Sequence, residues 1–166
     1  MRLAGAHYFG IAIETVAPER MKRIGKSLNI EACWRTARWA HEEGIEVCGF
    51  FMIGFPGESL NEARTTAEVA RSAPLDWVFV SLAAAHGGTR LRDEIGMAQL
   101  DVRFPFAASV PVAELRRMRR SLYLRFYSRP RRLYRLLRLL SDRRNWGKVG
   151  SALLQRLRVN DDIALN

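Results

Sequence analysis

Val47-Cys48-Gly49-Phe50-Phe51-Met52-Ile53-Gly54-Phe55-Pro56-Gly57-Glu58-Ser59-Leu60-Asn61-Glu62 decides the fold of this chain. Its first seven residues are apolar on both faces, as a central parallel strand requires. Gly54-Phe55-Pro56-Gly57 then turns the chain, since two glycines flanking a proline allow a sharp bend and a close backbone approach. Ser59 and Glu62 stand at the spacing of a capping box, in which each side chain satisfies one orphan amide of a new helix. This is a strand, a turn and a helix start, the middle of a βαβ unit.

Working outward, the same pattern repeats on both sides. Tyr8-Phe9-Gly10-Ile11-Ala12-Ile13 reads as an earlier buried strand and Trp77-Val78-Phe79-Val80-Ser81-Leu82 as a later one. Between the first two strands, Asn29 caps a helix predicted over 30–43, with Ile30, Cys33, Trp34, Ala37 and Ala40 at helical spacing and Gly44 as its stop. The helix opened by Ser59 is predicted to end near Ser72, before Pro74, and a short one to begin near Thr89. Strands alternating with helices predict an α/β fold with a parallel sheet. Periodicity alone is compatible with an open doubly wound sheet and with part of a barrel.

In both architectures ligands bind at the C-terminal strand ends, which here are Glu14-Thr15, Gly54 to Glu58 and Ala83 to Thr89. The helix start after Gly57 suits an anionic group; the same residues also suffice for a plain β-to-α turn. Glu14 suits an ammonium or sugar hydroxyls, against the alternative of a solvated loop charge. His86 has no sequence partner, and His7 and His41 carry no site expectation. Cys33 and Cys48, one on a helix and one inside a strand, lack the spacing of a zinc or iron–sulfur site and read as small buried residues. No metal site and no catalytic residue is predicted.

The chain has 166 residues, 48% hydrophobic and 27% charged, which excludes wholesale disorder and a disulfide scaffold. No apolar run spans a membrane, no signal-peptide pattern opens the chain, and the expectation is a cytoplasmic protein, with peripheral membrane contact as the variant. The net charge of +10 is concentrated. Residues 1–110 hold 12 basic and 13 acidic residues, a net of −1, and residues 111–166 hold 15 and 4, a net of +11. The expected division is therefore a body, 1–110, and a basic helical extension, 111–166.

In the extension, Leu115, Met118, Leu122, Leu124 and Phe126 alternate with arginines. Pro130 breaks the pattern, and Leu133, Leu136, Leu137, Leu139 and Leu140 then run against Arg131, Arg132, Arg135 and Arg138. A weaker third segment runs from Trp146 to Arg158. Such basic amphipathic helices pack on a body with solvated arginines, lie on an anionic membrane, or bind nucleic acid. Few interleaved aromatics and no recognition motif disfavour nucleic acid.

The ordered set Gly10-Ile11-Ala12-Ile13-Glu14, Arg23-Ile24-Gly25-Lys26, Gly44-Ile45-Glu46-Val47 and Gly49 through Glu58 resembles the second half of the radical S-adenosylmethionine enzymes. In particular it is similar to the branch with an N-terminal cobalamin-binding domain, such as the anaerobic Mg-protoporphyrin ester cyclases. Arg125-Phe126-Tyr127-Ser128-Arg129-Pro130 is similar to that branch's C-terminal extension. The resemblance implies the C-terminal half of a partial TIM-type (β/α)6 barrel, strands four to six, followed by the helical extension. It implies S-adenosylmethionine as cofactor, with Glu14 at its methionine or ribose end. Gly49, Ile53 and Gly54 would lie near the adenine with Pro56 and Gly57 in the following turn, and Ala84 and His86 in the strand-six segment.

The usual Ser-Gly after the glutamate reads Thr15-Val16 here, and the usual Pro-Gly-Thr reads His86-Gly87-Gly88-Thr89. The Cys-x3-Cys-x2-Cys loop that holds the family's 4Fe–4S cluster is absent, and no ligand for cobalamin is identified. The expectation is a fragment, inactive alone, that associates with a missing N-terminal half or with itself. The rival class is a non-catalytic accessory module whose basic helices bind an anionic membrane surface or a protein partner. The residues do not identify a substrate.

Overall fold

The computed structural model describes residues 1–84, 93 and 109–141. Three strands, β1 (Tyr8–Glu14), β2 (Glu46–Ile53) and β3 (Trp77–Leu82), form one sheet in the order β1-β2-β3. Both pairings are parallel: Tyr8 faces Glu46, Gly10 faces Cys48 and Ala12 faces Phe50, while Phe50 in turn faces Phe79. The helices are α1 (Pro18–Arg23), α2 (Ile30–Glu42), α3 (Leu60–Ser72), α4 (Val112–Tyr127) and α5 (Pro130–Ser141). The chain divides into two compact units, Met1–Phe126 and Tyr127–Asn166. The helix near Thr89 and the segment from Trp146 to Arg158 fall outside the described residues.

The caps hold as the sequence predicts. Asn29 accepts from Ala32 N–H at 3.0 Å, and Ser59 and Glu62 form both halves of the capping box. α1 is an addition: at six residues it is too short to show a hydrophobic period, and only Pro18 at its first turn marks it.

Alternation along the strands gives the sheet two unlike faces. Ile13, Val47, Phe51, Ile53, Val78 and Val80 are buried under the helices. Gly49 belongs to this covered face: a Cβ there would come within 2.4 Å of Leu75 Cδ1 and 2.8 Å of Phe51 Cε2, so any larger residue has to push those side chains aside. The opposite face carries Tyr8, Gly10, Ala12, Phe50, Phe79 and Ser81, all exposed. Phe50 and Phe79 stack there with centroids 5.7 Å apart. Sequential strand order with helices on one face is the arrangement of a barrel segment, in which the bare face is the barrel's interior. The described sheet is thus an α/β arrangement compatible with part of a barrel.

Side chains tie the layers together. Asp76 Oδ2 accepts from Val47 N–H at 2.8 Å and lies 2.7 Å from His41 Nε2, joining α2, β2 and the start of β3. Beyond β3, Leu115, Leu122 and Phe126 of α4 are buried, and the Tyr123 hydroxyl accepts from Val80 N–H at 2.9 Å on the outer edge of the sheet. The packing reading of the basic region therefore holds for α4. In the second unit, burial and the neighbouring Arg129 charge lower the Arg132 guanidinium to about 10, so it is charged at neutral pH.

Candidate functional site

The C-terminal end of the sheet gathers the chemistry. Glu14 ends β1 at φ 67, the one described residue other than glycine in the left-handed region, and the strand register slips between Ala12 and Glu14. A left-handed glutamate is strained, and such strain concentrates where a side chain must be aimed. The carboxylate is half-buried and meets Lys26, whose Nζ lies 3.3 Å from Glu14 Oε1 and donates to Ala12 O at 2.7 Å. One negative and one positive group thus stand side by side at the mouth.

One strand over, Gly54 turns the chain at φ 83, a conformation that favours glycine. Glu58 is 1% exposed and folds back on this turn: its Oε2 accepts from Gly54 N–H and, at 3.1 Å, from Phe55 N–H. Its Oε1 is buried with no hydrogen-bond partner among the described residues. Burial raises the Glu58 carboxyl above its usual range, only partly offset by the two amides. Arg20, from α1, donates to Pro56 O at 3.0 Å and to Gly57 O, and its Nε lies 3.6 Å from Glu62 Oε1. Gly57 N–H donates to Ser109 Oγ at 2.7 Å. The turn is held from outside by α1 and from inside by its own glutamate.

Thr15 is fully buried. Its hydroxyl lies 3.2 Å from Thr66 Oγ1 and accepts from Ala17 N–H, while Val16 N–H donates to Thr66 Oγ1 at 3.3 Å. The segment after Glu14 is therefore pinned to α3, and Thr15-Val16, in place of Ser-Gly, serves packing.

Of the residues singled out in the sequence, Glu14, Gly54, Pro56 and Gly57 come together at the mouth. Gly49 and Ile53 lie on the helix-covered face, and Ala84 is half-buried just past β3. His86 lies outside the described residues. Lys26 and Arg20 enter from the structure, and Glu58, the end of the Gly54 to Glu58 segment, turns out to fold back on that turn. Arg20 and its acceptors are 36 and 37 residues apart, beyond any local pattern. A cleft between α3 and α4, lined by Arg64, Arg71, Glu114, Arg117, Leu122 and Arg125, belongs to the outer layer instead.

Cys33 and Cys48 are buried free thiols, both raised above the usual thiol range by that burial. No group of three or more metal-ligating side chains occurs among the described residues. A 4Fe–4S cluster does not fit the cysteines of this chain, because three thiolates at one loop are needed and two inert thiols on separate elements are present. The mouth does fit S-adenosylmethionine: its methionine end carries an ammonium and a carboxylate, and Glu14 and Lys26 match them in sign.

Comparison with known proteins bears on the fold that carries these residues. The chain is 26% identical over 142 residues to an uncharacterized methyltransferase of Pyrococcus horikoshii, covering 79% of this chain and 31% of that protein. It is 21% identical over 86 residues to an uncharacterized protein of Methanocaldococcus jannaschii, 52% of this chain and 27% of that one. The chain thus spans less than a third of the length of these relatives. Residues 1–70, which hold β1, α1, α2, β2 and most of α3, match the radical SAM superfamily, on an α/β sheet compatible with part of that superfamily's barrel.

Proposed function

We propose that this chain forms the strand-four to strand-six wall of an S-adenosylmethionine site in a radical SAM enzyme of the cobalamin-dependent branch. The observation that carries the reading is the strained Glu14 paired with Lys26 beside the Gly54 turn, at the strand ends where such barrels bind ligands. The match over residues 1–70 supports it, and the name of the Pyrococcus relative supports methyl transfer as the reaction class. The finer assignment to the cobalamin-dependent branch rests on the ordered segments from Gly10 to Glu58 and the arginine-rich helix after them.

In this reading Glu14 Oε1 receives the ammonium and Lys26 Nζ turns to the carboxylate, exchanging their mutual ion pair for two pairs with the ligand. Glu58 and Arg20 bind nothing themselves; they fix the Gly54–Gly57 backbone so that its position does not have to be ordered on binding. S-adenosylmethionine, when bound beside a reduced 4Fe–4S cluster, supplies radical chemistry. The cluster ligands then come from a segment other than the residues of this chain, which acts with it.

Titration calorimetry with S-adenosylmethionine tests the wall directly. The expected result is weak binding that Glu14→Ala lowers at least about tenfold, the effect of losing one charged hydrogen bond. Binding unchanged in Glu14→Ala and in Lys26→Ala overturns the assignment. Anaerobic iron–sulfur reconstitution of this chain alone is expected to give no 5′-deoxyadenosine, and its appearance would show a cluster held by other means.

A further inference from the structure

α5 leaves two leucines in water, Leu133 and Leu137, and buries an arginine, Arg132. At about 3.6 residues per turn, Leu133 and Leu137 fall on one side of the helix, Arg131, Arg135 and Arg138 on the other, and Tyr134 at the border. A helix packed in a protein covers its leucines. Here Leu133 is 42%, Leu137 55% and Tyr134 68% exposed, while Arg132 is buried. No acidic residue occurs in 130–141, so the helix carries four arginines and no carboxylate of its own. α4, equally arginine-rich, buries Leu115, Leu122 and Phe126 in the ordinary way. On α4 a single leucine, Leu124, is 64% exposed, whereas the two exposed leucines of α5 lie one turn apart on the same side.

A partner must satisfy both sides at once. Nucleic acid would use the arginines and leave the leucines in water. A second copy of α5 would pair two short leucine faces while bringing two arginine-rich helices together, too little apolar contact against too much repulsion. An anionic bilayer surface accepts leucines among its acyl chains, tyrosine at its boundary and arginines at its phosphates. None of the described helices is long and apolar enough to cross a membrane, which leaves a helix lying in the surface plane.

We propose that α5 is an interfacial helix that docks this protein on anionic membranes, with Leu133 and Leu137 inserted and Arg131, Arg135 and Arg138 at the lipid phosphates. The proposal stands independently of the S-adenosylmethionine site.

Vesicle flotation of the full chain tests it, using phosphatidylcholine vesicles with and without phosphatidylglycerol. The chain is expected to float with the anionic vesicles and to stay behind with neutral ones. The Leu133→Asp/Leu137→Asp double variant is expected to lose about tenfold or more in binding, as is Arg131→Glu/Arg135→Glu. All four positions lie outside the core, and circular dichroism verifies folding; the milder Leu133→Ser/Leu137→Ser pair serves if the charged variant unfolds. Failure to float with anionic vesicles overturns the proposal. So does binding that the leucine variants leave intact, since that is adsorption of a basic surface, or leucine variants that change only the sedimentation of the free protein, since that makes a second copy the occupant.

Discussion

Glu58 shows how a single residue is spent on geometry. Its carboxylate is fully enclosed, holds two amides with one oxygen and leaves the other without a partner among the described residues. Because burial raises its pKa in the fold above the ordinary 4.5, the folded state binds the proton more tightly than the unfolded chain does. The stability it contributes is full below pH 4.5 and is lost as pH rises through the folded value. Urea denaturation at pH 4 and pH 7.5 checks this: relative to Glu58→Gln, the parent protein is expected to lose midpoint concentration at the higher pH. An equal difference at both pH values would contradict it. Glu14 is legible from its place after a buried strand, because a strand end in such a sheet is a site by topology. Lys26 is not, since its position opposite Glu14 depends on how the chain turns through α1, a helix without hydrophobic period.

At the level of elements, the sequence conveys most where local rules act alone. Asn29, Ser59 and Glu62 announce helix starts through capping geometry, and the structure places β3 over the predicted residues and α2 within one residue of its predicted end. What sequence does not convey is contact between elements. Asp76 lies before a strand in an ordinary turn sequence, yet it joins α2 through His41 and β2 through Val47 N–H. Asp76→Ala is expected to cost about 1–3 kcal/mol in chemical denaturation, the penalty of leaving a buried amide without its acceptor. A cost below about 0.5 kcal/mol, the range of ordinary surface changes, would mean that water replaces the carboxylate. The basic helices also look alike in composition, and only burial separates α4, which covers Leu115, Leu122 and Phe126, from α5, where Leu133 and Leu137 face outward.

For the molecule as a whole, the controlling feature is the sheet face carrying Tyr8, Phe50 and Phe79, which is exposed while the described helices lie against the other side. We propose that this face recruits either a second copy or the segment that completes the barrel. Analytical ultracentrifugation is expected to show concentration-dependent association that Phe79→Asp weakens about tenfold or more, the effect of placing a charge on a face that association must desolvate. A monomer at all concentrations, or association indifferent to Phe79, would remove that role. The sheet's two borders carry side-chain contacts of their own. Along β3 the Tyr123 hydroxyl already occupies Val80 N–H, whereas β1 forms the opposite border. Each border has a backbone group already engaged by a side chain, Val80 N–H by Tyr123 and Ala12 O by Lys26, so a strand added at either one has to displace a contact the fold already makes.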